Sequence, residues 1–439
     1  MGFFLFKKIL KALNVNKIFY LFNDHVRILR IFADIIMRKI FFHFFISCSL
    51  FSCWNSTPEK KLAAVDSLLS IEIDIGAKKK KFVLDTFFQH RFAAHQFSGC
   101  VLVAQRGVVL YEKSFGWSNY INKDSMKLSS EFQIASVSKQ FTAAAIMLLH
   151  QQGKLNYEDS VGKYIAGFDF HNVTIKELLT HRAGLDKYTN ICDRYYHMQH
   201  IQPTVFNNDS VLAIMESLHS KPIRSHGKKF DYSNTGYVIL ASIVEKISKQ
   251  TFHQFMTEHF FDPLNMHHTW LCTDGLEHLN KTNGYYADWD AWDENFLDQV
   301  TGDKGVYSCV EDMYLWDRSL RNNLILKPEI MDSAFIGYSP DLVTKKYWNY
   351  GFGWRTISFE DGAKAVFHNG WWHGYTSVFY RGLSDDVTII ILSNKYNSKI
   401  YNVQPILAIL GAHCLPDAVH DLTEIDSIGS SIKKTSKKK

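Results

Sequence analysis

The run Phe141-Thr142-Ala143-Ala144-Ala145-Ile146-Met147-Leu148-Leu149-His150-Gln151-Gln152-Gly153 is rich in Ala, Leu and Met and closes on a glycine. It predicts a long apolar helix with a defined stop, an element that has to be buried in a core. Immediately before it stands Ile134-Ala135-Ser136-Val137-Ser138-Lys139-Gln140. Residues three apart share one helix face, with about 5–6 Å between Cβ atoms, so the Lys139 amine can reach the Ser136 hydroxyl. A serine is a weak nucleophile until a base takes its proton, and this spacing supplies the base. In the first turn, unpaired backbone N–H groups and the positive end of the helix dipole favour an alkoxide and a developing oxyanion. Partial burial by the apolar residues that follow would lower the pKa of Lys139 and let it act as general base. The pattern S-x-x-K by itself is weak, because Ser225/Lys228 and Ser430/Lys433 repeat it. Those copies lack the apolar helix.

Two further segments add chemistry. Tyr232-Ser233-Asn234 precedes apolar residues at 236, 240, 243, 244 and 247, the spacing of an amphipathic helix, which leaves Tyr-Ser-Asn on the turn before it. Ser233 or Asn234 can serve there simply as an N-cap. A tyrosine beside a lysine can also act as a phenolate or proton shuttle, and Asn234 can orient the lysine and a substrate amide. His368-Asn369-Gly370, followed by Trp371-Trp372-His373-Gly374-Tyr375, lies among β-branched and aromatic residues that read as strands. A glycine in such a strand lets a ligand approach the backbone, and the N–H just beyond Gly370 can join that of Ser136 as an oxyanion hole.

In this order the three segments resemble the penicillin-recognising serine hydrolases. The likeness is to the branch of class C β-lactamases, serine-type D-Ala-D-Ala carboxypeptidases, D-aminopeptidases and related esterases, which carries S-x-x-K, Y-x-N and K/H-x-G. Leu178-Leu179-Thr180-His181-Arg182-Ala183-Gly184-Leu185, Gly302-Asp303-Lys304-Gly305-Val306-Tyr307-Ser308 and Tyr350-Gly351-Phe352-Gly353-Trp354 resemble further segments of that family. The likeness runs from about residue 97 to about residue 394. It implies an α+β, β-lactamase/transpeptidase-like fold: an antiparallel sheet flanked by helices plus a mainly helical subdomain, with the site between the layers. It implies Ser136 as acylated nucleophile, Lys139 as its base and Tyr232 as the group that protonates the leaving group and activates water. Asn234 would contact the substrate amide, His368 and Gly370 would line the strand that pairs with substrate, and the amides of Ser136 and Trp371 would hold the oxyanion.

The third segment departs from the Lys-Thr-Gly that β-lactamases proper favour. His-Asn-Gly offers no permanent ammonium to an antibiotic carboxylate, since an ordinary histidine with pKa about 6.5 is only partly charged near neutrality. The expected substrates are therefore an ester or peptide ahead of a cephalosporin. Trp371, Trp372 and Tyr375 suit either an apolar wall for such substrates or plain core packing. A catalytically silent envelope binding protein of the same fold is the alternative class.

Composition fits one large domain: 439 residues, 46% of them hydrophobic, with no visible repeat. Residues 1–52 hold eight Lys/Arg against two Asp/Glu, which leaves 41 against 42 and removes the case for a nucleic-acid partner. Met37-Arg38-Lys39, the apolar run from Ile40 to Ile46 and Leu50-Phe51-Ser52-Cys53 read as a lipoprotein-type signal over residues 37–53, with Cys53 the expected lipidated residue and Cys48 a second candidate. Residues 1–36 are then an upstream extension or a misassigned start ahead of Met37, 54–81 a polar linker, 82–418 the hydrolase domain and 419–439 a Lys-rich tail. Export to a bacterial periplasm or outer membrane follows, with membrane attachment through the lipid. The other cysteines, Cys100, Cys192, Cys272, Cys309 and Cys414, are scattered and odd in number, so no disulfide framework is expected. No cofactor is expected, and no metal despite His181, His197 and His200.

Overall fold

Runs of Val, Ile and Phe such as Val101-Leu102-Val103, Val378-Phe379 and Val387 to Leu392 pair into one seven-stranded antiparallel sheet. The computed structural model describes residues 58–166, 172–199, 205–343 and 348–414. The expected extension 1–36, the signal 37–53 with Cys53, and the tail 419–439 lie outside the described residues. In chain order the strands are β1 (Gly99–Gln105), β2 (Val108–Phe115), β3 (Asn349–Tyr350), β4 (Arg355–Ser358), β5 (Lys364–Trp372), β6 (Tyr375–Gly382) and β7 (Val387–Ser393). Their spatial order is β2-β1-β7-β6-β5-β4-β3. The β1–β2 hairpin turns on Arg106 and Gly107, with φ of 53° and 76°. Two consecutive left-handed residues match the twist of a two-residue hairpin. β1 lies against β7 with Gly99 opposite Ser393, so the first and last strands of the domain are neighbours.

Because side chains alternate across a strand, the sheet feeds two cores. Val101, Val103, Phe367, Val378, Tyr380 and Ile389 face one cluster, where Leu84 and Phe88 of helix α1 (Pro58–Ala93) and Ile406, Leu407 and Leu410 of a closing helix cover them. Leu102, Val366, Phe379 and Ile390 face the other, larger cluster. This cluster takes in α2 (Lys139–Gln151), α3 (Asn234–Ser248) and α4 (Val310–Arg321), and the closing helix Gln404–Leu410 is α5. Between β2 and β3 the described chain is mainly helical, with further helices at Ile175–Leu179, Tyr188–Gln199 and Asn208–Ser217. A small sheet joins Phe132–Gln133, Val306–Ser308 and Trp270–Leu271, and carries residues 302–308 to the start of α2.

One boundary differs from expectation. The segment 54–81 was expected to be a polar linker, but α1 is already helical from Pro58. Its Lys, Glu, Ala and Leu residues are good helix formers, and its polarity marks solvation rather than absence of helix.

Helix α4 is clamped to β6 by charge. Arg381, 1% exposed, sets Nε 2.6 Å from Oδ1 of the fully buried Asp317, while Arg318 Nη2 approaches Oδ2 at 2.7 Å. Burial works against the Asp317 charge, but Arg381 and the hydrogen bonds from both arginines outweigh it and hold the carboxyl below its ordinary value. Removing one partner would strand a buried charge, so Arg381→Leu is expected to cost about 3–5 kcal/mol, read by urea unfolding. A depressed carboxylate stabilises above its unfolded pKa and ceases to do so as pH falls through the folded value. The Arg381→Leu penalty should therefore shrink in acid below about pH 4.

Candidate active site

Ser136 was expected in the first turn of the α-helix, but it sits in a 3₁₀ turn, Ala135–Ser138, that runs straight into α2 at Lys139. Ala135 has φ +49° and is buried. A left-handed alanine costs about 1–2 kcal/mol, and packing has to hold it. The Ser377 hydroxyl donates to the Ile134 carbonyl at 2.7 Å, and the Ile134 N–H donates to the Val306 carbonyl at 2.9 Å. Gly370 of β5 lies opposite, where a Cβ would collide with the Ile134 carbonyl oxygen and the Ser377 hydroxyl. The glycine expected to admit a ligand instead admits the serine-bearing turn itself.

Lys139 has no solvent exposure. Its Nζ donates to Ser136 Oγ at 3.0 Å and to the Asp303 carbonyl at 2.9 Å, and lies 5.0 Å from the Tyr232 ring centre. The Tyr232 hydroxyl is 3.1 Å from Ser136 Oγ. Amine, hydroxyl and phenol thus meet at one half-exposed oxygen. Such a trio can move a proton off the serine and onto a leaving group. Backbone N–H groups at the start of a helix, where Ser136 stands, lack intrahelical acceptors and can face an oxyanion.

Ser233 occupies the N-cap position of α3, yet its side chain makes no capping bond. Asn234 is the first residue of that helix, and its buried Oδ1 has no hydrogen-bond partner among the described residues. An acceptor left in that state suits an incoming N–H donor. Trp371 lies on β5 opposite Thr376, half-buried and edge-on to Trp292 and Tyr396. Trp372 and Tyr375 are buried.

His368 departs most from expectation. It was expected to be partly charged near neutrality, but it is 1% exposed. Its Nδ1 lies 2.7 Å from the Asn369 carbonyl, which can only accept, so the proton is on Nδ1. Nε2, 3.0 Å from the Tyr350 hydroxyl, then accepts from it. Burial first, and the Arg355 charge second, push its pKa well below the usual histidine value. This ring is a neutral spacer.

Sequence reasoning gave no role to His181, Tyr350 or Asp303. His181 packs its ring 4.2 Å from Tyr232, 4.6 Å from Tyr350 and 5.1 Å from Tyr237, and Nδ1 accepts the Ser233 N–H at 3.3 Å. Burial, with Lys139 nearby, pushes its pKa well down. Two neutral imidazoles and Tyr350 therefore wall in Tyr232, while Asp303 offers its main chain to Lys139. The signals were present in the segments Leu178 to Leu185, Gly302 to Ser308 and Tyr350 to Trp354, but a motif without a contact names no partner.

A family model described as beta-lactamase matches residues 84–412. The chain belongs to the beta-lactamase family. It is 34% identical to Penicillin-binding protein 4* of Bacillus subtilis (strain 168), over 74% of each chain. It is 26% identical to Protein flp of Staphylococcus aureus (strain MW2), over 71% of this chain and 62% of that one. In fold it resembles the octameric penicillin-binding protein homologue from Pyrococcus abyssi, with TM-score 0.65, 23% identity and coverage of 75% and 77% of the two chains. This beta-lactamase-family chain has the fold the sequence motifs implied, and the family is one of serine hydrolases that work through an acyl-enzyme.

The buried imidazoles make a measurable signature. Below about pH 6.5 the unfolded histidines bind protons that the folded ones refuse, so stability falls as pH falls. Each ring contributes a slope of about 1.4 kcal/mol per pH unit below its unfolded pKa. Urea unfolding between pH 7 and 5 should show this slope, and His368→Gln should remove the part belonging to that ring.

Proposed function

We propose that this chain is an exported serine hydrolase that forms an acyl-enzyme at Ser136 on an amide, ester or lactam, with esters and peptides preferred to cephalosporins. The observation that carries the reading is the convergence of Lys139 Nζ and Tyr232 Oη on Ser136 Oγ, at 3.0 and 3.1 Å. Ser136 Oγ attacks the substrate carbonyl carbon as its proton passes to Lys139. The carbonyl oxygen becomes an oxyanion held by the amides of Ser136 and Trp371. As the tetrahedral intermediate collapses, Tyr232 delivers a proton to the departing amine or alcohol. A water then gives a proton to the Tyr232 phenolate so formed and attacks the ester, and Ser136 leaves with the proton that Lys139 had taken. Asn234 Oδ1 receives an N–H of the substrate, while Gly370 keeps strand and nucleophile in register and His368 buttresses Tyr232 through Tyr350.

The preference against cephalosporins rests on the third motif, where a neutral, buried imidazole stands in place of an ammonium. Export rests on the signal-like residues 37–53, with Cys53 as the lipidated position and the envelope as destination.

The name of the Bacillus relative makes a penicillin a suitable probe beside a fluorophosphonate. Intact-mass spectrometry should show a one-to-one adduct with the fluorophosphonate that disappears in Ser136→Ala. Lys139→Ala and Tyr232→Phe should each lower kcat/KM on a p-nitrophenyl ester by at least about 100-fold. Absence of any Ser136-dependent adduct would replace the hydrolase with a binding protein of the same fold. Globomycin treatment of cells expressing Cys53→Ala should leave electrophoretic mobility unchanged where the parent chain shifts.

A further inference from the structure

The proton that leaves Ser136 turns Lys139 into an ammonium at a place with no solvent exposure. A cation formed there calls for a negative charge nearby, because water does not supply the compensation. Asp303 brings one. Its carbonyl accepts from Lys139 Nζ at 2.9 Å. Bond lengths keep both carboxylate oxygens of an aspartate within about 6 Å of its own carbonyl oxygen, and hence these two within about 9 Å of Nζ.

The carboxylate is fixed from the other side of the site. Asp303 is 1% exposed, and its Oδ2 accepts from the hydroxyl of the buried Tyr188 at 3.2 Å. The Tyr188 N–H donates to Thr235 Oγ1 at 2.7 Å, and that hydroxyl donates to the Asp186 carbonyl at 2.6 Å. Thr235 follows Asn234 on α3, so the start of this helix places Asn234 and, through Tyr188, the carboxylate. Oδ1 is buried with no hydrogen-bond partner among the described residues. Anchoring Tyr188 takes one oxygen, and an asparagine would serve it equally. A second carboxylate oxygen, buried and unpartnered, is costly and adds nothing to the packing. The charge is the part that a structural anchor leaves unexplained.

None of the other titratable groups that these contacts place around Lys139 carries a permanent negative charge. On α3, Tyr237 has its ring centre 5.6 Å from Nζ, and burial pushes its pKa well up. His181 and His368 are the two neutral imidazoles, and Ser136 and Tyr232 are the reacting hydroxyls. Burial first, and the Asp303 charge second, push the Tyr188 phenol well up, so it stays a donor to Oδ2. Beside Asp303, Lys304 commits Nζ to the Leu297 and Val300 carbonyls at 2.6 and 2.9 Å, and Cys272, pushed up to about 12 chiefly by burial, stays a thiol. Asp298 is taken up by Trp372 Nε1 at 2.8 Å and His373 at 3.2 Å, and Arg355 is stacked on Trp348 across the sheet.

Resting on the acyl-enzyme reading, we propose that the Asp303 side chain is a positioning residue of the reaction, an anion that acts through Lys139 by stabilising the ammonium formed when Ser136 gives up its proton. The serine O–H bond breaks, an N–H bond forms on Lys139, and the proton returns to Ser136 when the ester is cleaved. Asp303 itself neither gains nor loses a proton, as with the carboxylate of a Ser-His-Asp triad.

A nearby anion raises the pKa of a lysine, so removing the anion lowers it. Lys139 has to be neutral to accept the proton, and the acid limb of the kcat/KM–pH profile of the full chain on p-nitrophenyl butyrate reports that state. Asp303→Asn keeps the oxygen that Tyr188 needs and removes the charge. Its acid limb is expected to move to lower pH by at least about one unit, with a plateau at least about tenfold lower. Asp303→Ser carries the same expectation with a smaller side chain. Asp303→Glu restores the charge, and its limb is expected within about 0.3 unit of the parent value whatever its rate. The pH dependence of fluorophosphonate labelling at Ser136, followed by intact mass, reads the same limb without turnover. A lower plateau with an unmoved limb in the two neutral variants would make Asp303 a structural anchor, overturn the assignment and leave the hydrolase standing. Loss of the fold in both, seen by circular dichroism, would do the same. No Ser136-dependent labelling of the parent chain would overturn the hydrolase reading and this assignment with it.

Discussion

A lysine with no solvent exposure is the constraint around which the site is arranged. Its amine has to be given acceptors or donors inside the protein, since an unpartnered buried ammonium is prohibitively costly. Here the Ser136 hydroxyl and the Asp303 carbonyl supply two contacts at 3.0 and 2.9 Å. The carbonyl is available because Gly302, at φ +101°, turns the chain in a space where a Cβ would strike the main chain of Tyr237. Thr142 of α2 ties that turn down by donating to the Gly302 carbonyl at 2.7 Å. Helix α2, helix α3 and the 302–305 turn thus meet at one amine, and displacing any of them would move the acceptor that keeps Lys139 aimed at Ser136.

Holding the serine is a separate problem, solved by the sheet. Ala135 adopts a left-handed conformation that it would not keep alone, and β5 and β6 press against it through Gly370 and Ser377. The H-x-G strand therefore sets the position of Ser136 from behind. The His at its head does comparable work on Tyr232. His181 and His368 are both buried and neutral, and with Tyr350 they fill the space around the phenol without adding a charge to compete with Lys139.

How much of this is legible in the sequence depends on the range of the interaction. The helix after Ser136, the helix that begins at Asn234 and the strands around His368 follow from local composition and periodicity, and the structure has helices and strands there. The start of α1 does not follow, because a lysine-rich helix and a solvated linker share a composition. From sequence His368 reads as an ordinary, partly charged imidazole, yet its state is set by burial and by Tyr350 and Arg355, which are near it only in the fold. Gly370 reads as a gap for ligand because the residue that fills the gap, Ile134, is 236 positions away in the chain. Spacing reveals pairs on one helix, such as Ser136 and Lys139, and is silent on who stands across a sheet.

Electrostatics then separates this member of the family from one built for an anionic substrate. A carboxylate entering along β5 would meet a neutral imidazole at 368 and, beside Trp372, Asp298. Asp298 keeps its charge: burial raises its pKa, but the His373 contact and the Asn295 and Trp372 N–H donors more than offset that, and the carboxyl stays below its ordinary value. Arg355 of the neighbouring strand β4 is stacked on Trp348 and opposite Phe367, on the face of the sheet turned away from Ser136. Beside Ser136 the strand β5 accordingly presents a neutral imidazole, because the Arg355 charge lies on the opposite face of the sheet.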